Sequence, residues 1–324
     1  MDLRQMQYFV SLYEEGNVTR AARRLNVVQP ALSMQIAKLE AELGQRLFER
    51  SRQGMAPTAA GRVLFRHLMP ILRDISAARQ AMAKLGGEIS GQIAIGLITS
   101  VTQSVLARTL ATFTARHPSV EVNVAEGYTA TFMDWVASGQ LDFAIINQPR
   151  KRVGLVAEPI LDEEMVLVTS AATELPVPAP VTLRDAARLK LVVPSKRHGL
   201  RQLLDQHAEA EGIDLSPKFE VDALVPLSEM VAATDWVTIL PAIAVHRGLN
   251  DGRLRAYPIV EPRMVRTLAW VHHPRRPLSP AASKFIEIMT ENLVRAEAEV
   301  SAKVSRRGGA APAARPSRGM NGGR

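Results

Sequence analysis

Gln29, Ser33 and Lys38 recur on one side of a stretch whose other side carries Leu32, Ile36, Leu39 and Leu43. An amide, a hydroxyl and an ammonium on one helix face are neutral or cationic donors. Gln pairs with adenine N6 and N7 and Lys meets guanine or phosphate, so that face has the chemistry of a surface entering the DNA major groove. Pro30 and Met34 belong to the same reading surface, with Thr19 just before it. Arg50 and Arg52 lie on a short stretch that can fold back as a hairpin and bring cations to the DNA backbone. An ordinary amphipathic helix pair with a solvated basic face fits the same spacing.

A second constellation is polar and uncharged. Thr99, Ser100 and Thr102 follow one apolar run, Thr129 and Thr131 the next, Asn147 a third, and Ser195, with Lys196 and His198, a later one. If those runs are parallel strands, the hydroxyls and amides gather at carboxyl ends beside helix N-termini, where an oxyanion is favoured. Each residue alone also reads as a helix N-cap. No phosphate loop, GxGxxG or GxSxG occurs, and His272-His273 have no placed carboxylate partner. No catalytic residue, metal ligand or cofactor is therefore expected, and the chain is not read as an enzyme.

The chain has 324 residues, 47% hydrophobic, no cysteine and a net charge of +8. The length suits two or three domains with full cores. The absence of cysteine excludes a disulfide framework and thiolate metal sites. The N-terminus lacks a basic-then-apolar signal pattern and no apolar run is long enough to span a bilayer, so a cytoplasmic protein with no membrane partner is expected. The charge is uneven. Residues 1–58 hold 8 Lys/Arg against 6 Asp/Glu, residues 301–324 hold 6 against none, and residues 91–300 hold 21 against 24. Attraction to nucleic acid must come from the two ends.

The elements that position these groups can be read from period. Leu3, Met6, Phe9, Val10 and Tyr13 make a first helix, Val18 to Leu25 a second, and Leu32 to Leu43 the core stripe of a third, with Pro30 in its first turn and Gly44 as its C-cap. Thr58 is the N-cap of a longer helix. In that helix Leu64, Leu68, Ile71, Ile75, Ala78, Met82 and Leu85 recur at alternating steps of four and three, a seam for a homodimer or for packing on the chain's own core. Pro70 should kink or open it. After a hinge at Gly86-Gly87 and Gly91 the pattern becomes alternating strands and helices, α/β in class. The tail from Ser301 is Gly/Pro/Ala/Arg-rich and read as disordered, serving DNA attraction or solubility.

In order, Leu3, Phe9, Ala21-Ala22, Leu25, Gln29-Pro30-Ala31-Leu32-Ser33, Ile36, Leu39-Glu40, Leu43-Gly44, Leu47-Phe48, Arg50 and Pro57-Thr58-Ala59-Ala60-Gly61 resemble the LysR-type transcriptional regulators. Gly139-Gln140-Leu141-Asp142, Gly199, Gly212 and Val237-Thr238-Ile239-Leu240-Pro241 carry the resemblance into the second half, and the run Thr99–Gln103 resembles the sulfur- and nitrogen-regulator branch. Departures are Val28, where the family usually has a Ser or Thr N-cap, Met34, usually polar or basic, and Asp235-Trp236 in place of small glycines. The resemblance implies a winged helix-turn-helix DNA-binding domain at 1–58 and a linker helix at 59–90. It further implies a two-lobed effector domain like a type 2 periplasmic binding protein at 91–300, with the first lobe at about 91–161 and 267–300 and the second at about 162–266. The partners expected are double-stranded operator DNA, a small anionic effector held between the lobes, further copies of the chain as a homodimer or homotetramer, and RNA polymerase as an additional candidate. The alternative is a solute-binding module or small enzyme on the same two-lobed fold.

Overall fold

The computed structural model describes residues 1–51, 54–83, 89–149 and 154–308. They divide into two compact units, one of Met1–Leu161 with Thr267–Asn292 and one of Asp162–Arg266 with the chain from Leu293 on.

The first unit begins with helices α1 (Leu3–Glu15), α2 (Val18–Arg24) and α3 (Gln29–Leu43). Each start has a physical marker. Asp2 Oδ1 accepts from the Gln5 N–H at 2.8 Å while Gln5 Oε1 accepts from the Asp2 N–H at 3.0 Å, a reciprocal cap. Asn17 caps α2 by accepting from the Arg20 N–H. Between α2 and α3 the chain reverses at Asn26, whose φ of 53° is tolerated by a short polar side chain. Phe9, Leu12, Ala21, Leu32, Leu39 and Leu47 close the core beneath. Strands β1 (Phe48–Ser51) and β2 (Gly54–Pro57) pair antiparallel as the wing. Helix α4 (Ala59–Ala83) follows, with Thr58 Oγ1 accepting from the Gly61 N–H as the expected cap.

Helix α4 runs unbroken through Pro70. Leu68 is buried in the core of the first three helices, with Leu64 and Phe65 packed on the same cluster. The first two positions of the expected seam are therefore used inside the chain itself, because a four-three repeat identifies a buried face without saying what buries it. Val63 and Ile71 remain exposed on this helix. Leu85 and Gly86-Gly87 lie outside the described residues.

The rest of the first unit is a sheet in which β3 (Gly91–Leu97) lies parallel to β4 (Val120–Glu126) and β5 (Phe143–Asn147), with β12 (Val265–His272) antiparallel beside β5. Helices α5 (Thr99–Val101), a π-helical turn (Thr102–Leu106) and α6 (Ala107–Arg116) follow β3 without a break, and α7 (Thr129–Ala137) follows β4. Phe113, Phe132, Phe143 and Phe285 fill the core. Gly96 is needed on β3, since a Cβ there would come within 2.7 Å of both Phe132 and Leu141.

The chain crosses to the second unit inside β6 (Val156–Ser170) and returns inside β12. In the second unit β6 is flanked by β10 (Thr238–Pro241) and β11 (Leu254–Glu261), both antiparallel. Strands β7 (Val181–Thr182), β8 (Val192–Val193) and β9 (Phe219–Glu220) are short; of helices α8 (Leu183–Ala186), α9 (Gly199–Ala210), α10 (Leu224–Ala233) and α11 (His246–Asn250), the first three send Leu183, Leu200, Leu204, Leu227 and Val231 into the core that holds Val181, Val192 and Val193. The last helix, α12 (Pro280–Gly308), continues eight residues past Val300. Val300 and Val304 are buried in the second unit's core, so the tail expected from Ser301 begins later and the helix does not stay with the first lobe. The residues from 309 lie outside the described part. Among the described residues no helix is long and apolar enough to cross a membrane.

Candidate nucleic-acid interface and effector site

The reading surface is built by α3. Leu32, Ile36 and Leu39 turn inward, and Gln29, Pro30, Ser33, Met34 and Lys38 are exposed, as is Thr19 on α2. Val28 occupies the N-cap position and makes no side-chain cap bond; Pro30 has no N–H to cap, and the Ala31 and Leu32 N–H groups donate to the Val28 carbonyl at 3.0 and 3.3 Å. Arg50 is exposed on β1, opposite Met55; Arg52 lies outside the described residues.

Two features of this surface were not anticipated. Glu40 Oε1, near the end of α3, accepts from the Leu47 N–H at 2.7 Å and the Phe48 N–H at 3.2 Å, which ties the wing to the reading helix. The cationic side of α2 is partly neutralised, since Arg24 pairs with Glu14 at 2.7 Å and Arg20 with Glu15 at 3.4 Å. Periodicity shows which residues share a face but not which charges a preceding helix will quench.

The second constellation is split between the units. In the first, the parallel register sets Leu97 beside Glu126, so the ends of β3 and β4 emerge together. Thr99 and Thr102 lie just beyond β3 on the helical run, and Glu126 closes on both. Thr99 Oγ1 donates to Glu126 Oε1 at 3.2 Å and Thr102 Oγ1 donates to Glu126 Oε2. Thr129 and Thr131 stand on the first turn of α7, whose N-cap Tyr128 makes no side-chain cap bond. Asn147 ends β5, half-buried. Ser100 is only 2% exposed and is buried rather than presented at a surface. The π-helical turn at Thr102–Leu106 is the kind of helix irregularity found at functional sites.

In the second unit, Ser195 is likewise held by a carboxylate. Its N–H donates to Asp222 Oδ1 at 2.8 Å and its Oγ to Asp222 Oδ2 at 2.9 Å. His198 is the N-cap of α9, its Nδ1 accepting from the Leu200 N–H. Burial holds its imidazole pKa below the ordinary 6.5, against the pull of Asp222. Ser195, His198 and Asp222 are the residue types of a hydrolase triad, but the wiring is different. A triad needs the imidazole to take the serine proton, and here that proton goes to the carboxylate while His198 Nδ1 serves a backbone cap. A buried ion pair completes the unit: Arg266 Nε donates to Glu163 Oε1 at 2.5 Å, and Glu163 Oε2 accepts from the Ile243 N–H. Burial pushes the Glu163 carboxyl up despite Arg266. Among the described residues no three His, Asp or Glu side chains gather as metal ligands.

Glu126 and Asp222 were missed because carboxylates are read as solvated by default. The signal that could have found them was register, with Glu126 closing β4 where Thr99 follows β3.

Residues 3–62 match the model of the bacterial regulatory helix-turn-helix proteins of the lysR family, and residues 86–294 match the LysR substrate binding domain. The nitrogen assimilation regulatory protein nac of Klebsiella aerogenes is 30% identical over 292 residues, 89% of this chain and 94% of the relative. A hydrogen peroxide-inducible genes activator of Pectobacterium carotovorum subsp. carotovorum is 30% identical over 293 residues, 90% of this chain and 97% of the relative. Full-length CbnR, solved with its target DNA, superposes with a TM-score of 0.68 at 20% identity, covering 90% of this chain and all of that one, a likeness of fold.

Proposed function

The chain belongs to the LysR family of DNA-binding transcriptional regulators, and on that premise we propose that this member holds operator DNA on α3 and the wing and responds to a small oxyanion or carboxylate. The observation that carries the DNA half is the exposure of Gln29, Ser33 and Lys38 on α3, whose residues Leu32, Ile36 and Leu39 are buried in the head. Base-edge donors and phosphate donors then sit on one element. Arg50 and Arg52 supply the wing's cations.

The effector residues we assign are Thr99, Thr102, Thr129, Thr131 and Asn147 in the first unit and Ser195 in the second, with Ser100 supporting the turn from beneath. Glu126 and Asp222 act as internal stand-ins for the effector's acid group, occupying the hydroxyls until it arrives. This chain has no cysteine, so it offers no thiol for peroxide to oxidise, and its response is reversible binding. It works as a homodimer or homotetramer through α4, where Val63 and Ile71 are exposed. It acts in the cytoplasm, with RNA polymerase as the further partner at a promoter.

The test is fluorescence anisotropy of the full chain on its own upstream DNA and on a scrambled duplex, at several salt concentrations. A preference of about 10³-fold or more for the upstream DNA is expected for a specific regulator. Equal affinities would return the solute-binding reading. For the effector half, Glu126→Gln removes the competing charge and keeps an acceptor oxygen for one threonine, its NH2 donating to the hydroxyl of the other. In a thermal-shift screen of small inorganic and organic anions this variant should bind the responding anion more tightly than wild type, and Thr99→Val more weakly. An anion whose affinity neither change alters sits elsewhere.

A further inference from the structure

The face of α3 that looks straight out is not its most polar one. Pro30, Met34, Ala37 and Ala41 follow one another at steps of four, three and four, and all four are exposed. Ser33 and Lys38 flank this line. Met34 is 63% exposed and Val28, just before the helix, 69%, the two most exposed of the large apolar side chains in the described residues. Neither belongs to the core of the head. A thioether on the outward line of α3 and an isopropyl group at its start are free to meet an apolar group of the DNA.

The major groove offers one such group, the 5-methyl of thymine. We infer that Met34, assisted by Val28 at the helix start, reads thymine methyls, so that this protein's operator is fixed by apolar contacts as well as by Gln29. This rests on the DNA-binding reading above. Met suits the role because its unbranched, polarisable side chain adapts to a methyl at more than one step. Lys38 on a phosphate supplies position without base information. Removing one buried methyl should cost about fourfold in affinity, the equivalent of about 0.8 kcal/mol for one methylene-sized group.

The experiment begins by selecting duplexes bound by the full chain from a random pool. Each thymine in the selected site is then replaced singly by deoxyuridine, which removes the methyl and leaves every base-pairing group unchanged. Wild type should lose about fourfold at one or two positions. Met34→Ser should bind the thymine and deoxyuridine duplexes equally at the position Met34 covers, while keeping its affinity for random DNA. The isosteric Met34→Gln, checked for an unchanged melting temperature, guards against a folding defect and should behave as Met34→Ser does. A deoxyuridine penalty of the same size in wild type and both variants would overturn the assignment to Met34. No penalty at any thymine would overturn methyl reading altogether while leaving sequence-specific binding intact. A selection that yields no preferred sequence would sink the DNA-binding reading with it.

Discussion

The reading head and the effector units treat their polar groups in opposite ways. On α3 the candidate donors stand open: Gln29, Ser33 and Lys38 are exposed. In the effector units the corresponding groups are already engaged, Thr99 and Thr102 by Glu126, Ser195 by Asp222, and Arg266 by Glu163. The difference follows from the partner. DNA brings a dense array of charge and can displace water from many open donors at once. A small effector makes few contacts, so a site that must stay ordered without it is better held by internal carboxylates that can later be exchanged. Open donors cost little at a surface, whereas the same groups left unpaired in a core cost about 1–3 kcal/mol each.

The most severe way to break this contrast is to open a pair that is fully buried. Glu163 is 1% exposed and Arg266 5%. Glu163→Ala would leave the guanidinium in the core without its carboxylate and should cost about 3–5 kcal/mol in the unfolding free energy. Glu163→Leu combined with Arg266→Met should recover most of that loss, since neither charge is then stranded. Urea unfolding of both variants reads the outcome, and a single-variant cost below about 1 kcal/mol would mean that water reaches the pair.

On the open side the expected effect is smaller and appears in binding rather than stability. Gln29→Ala should leave the urea midpoint unchanged and lower the preference for operator over random DNA by about 1–3 kcal/mol. Lys38→Ala should instead weaken both duplexes and reduce the salt slope by about one ion. Equal losses on specific and random DNA for Gln29→Ala would place that side chain on the backbone. A change in stability for either would mean the head is less open than its exposure indicates.

The legibility of the chain follows the same division. The head could be read closely because its elements carry local markers: the stripe from Leu32 to Leu39, Gly44 at a φ of 64°, Thr58 before α4. The α/β alternation after Gly91 was equally plain, because short apolar runs separated by amphipathic segments leave few other folds. What was not legible depends on distant pairing. Strand β11 was missed because Pro258 sits in its middle, where a proline normally argues against a strand. The extension of α12 was hidden by the basic composition around Val304, which is buried by the second unit's core. Thr99 and Ser195 could be named as candidates from position alone, but their carboxylate partners lie 27 residues away in each case. No local pattern connects them.

The smallest expected effect belongs to His198 and concerns pH. Burial lowers its folded-state pKa below the ordinary 6.5, with Asp222 pulling it up and Arg266 pushing it further down. The folded state therefore binds this proton less readily than the unfolded chain, and the associated stability is fully present above pH 6.5 and lost as pH falls from there through the lowered value. Unfolding free energies measured between about pH 5 and 8 should decline on the acid side with a slope of a fraction of one proton. His198→Asn can still accept from the Leu200 N–H through its side-chain oxygen and has nothing to titrate, so it should flatten that decline while keeping α9 capped. Because the imidazole lies near the carboxylate that holds Ser195, protonating it should also offset the charge of Asp222, loosen its hold on Ser195 and tighten binding of an anionic effector in the same window. If His198→Asn shows the same acid decline as wild type, the proton is being taken up elsewhere and the occupied state of the second unit is not pH-sensitive through this residue.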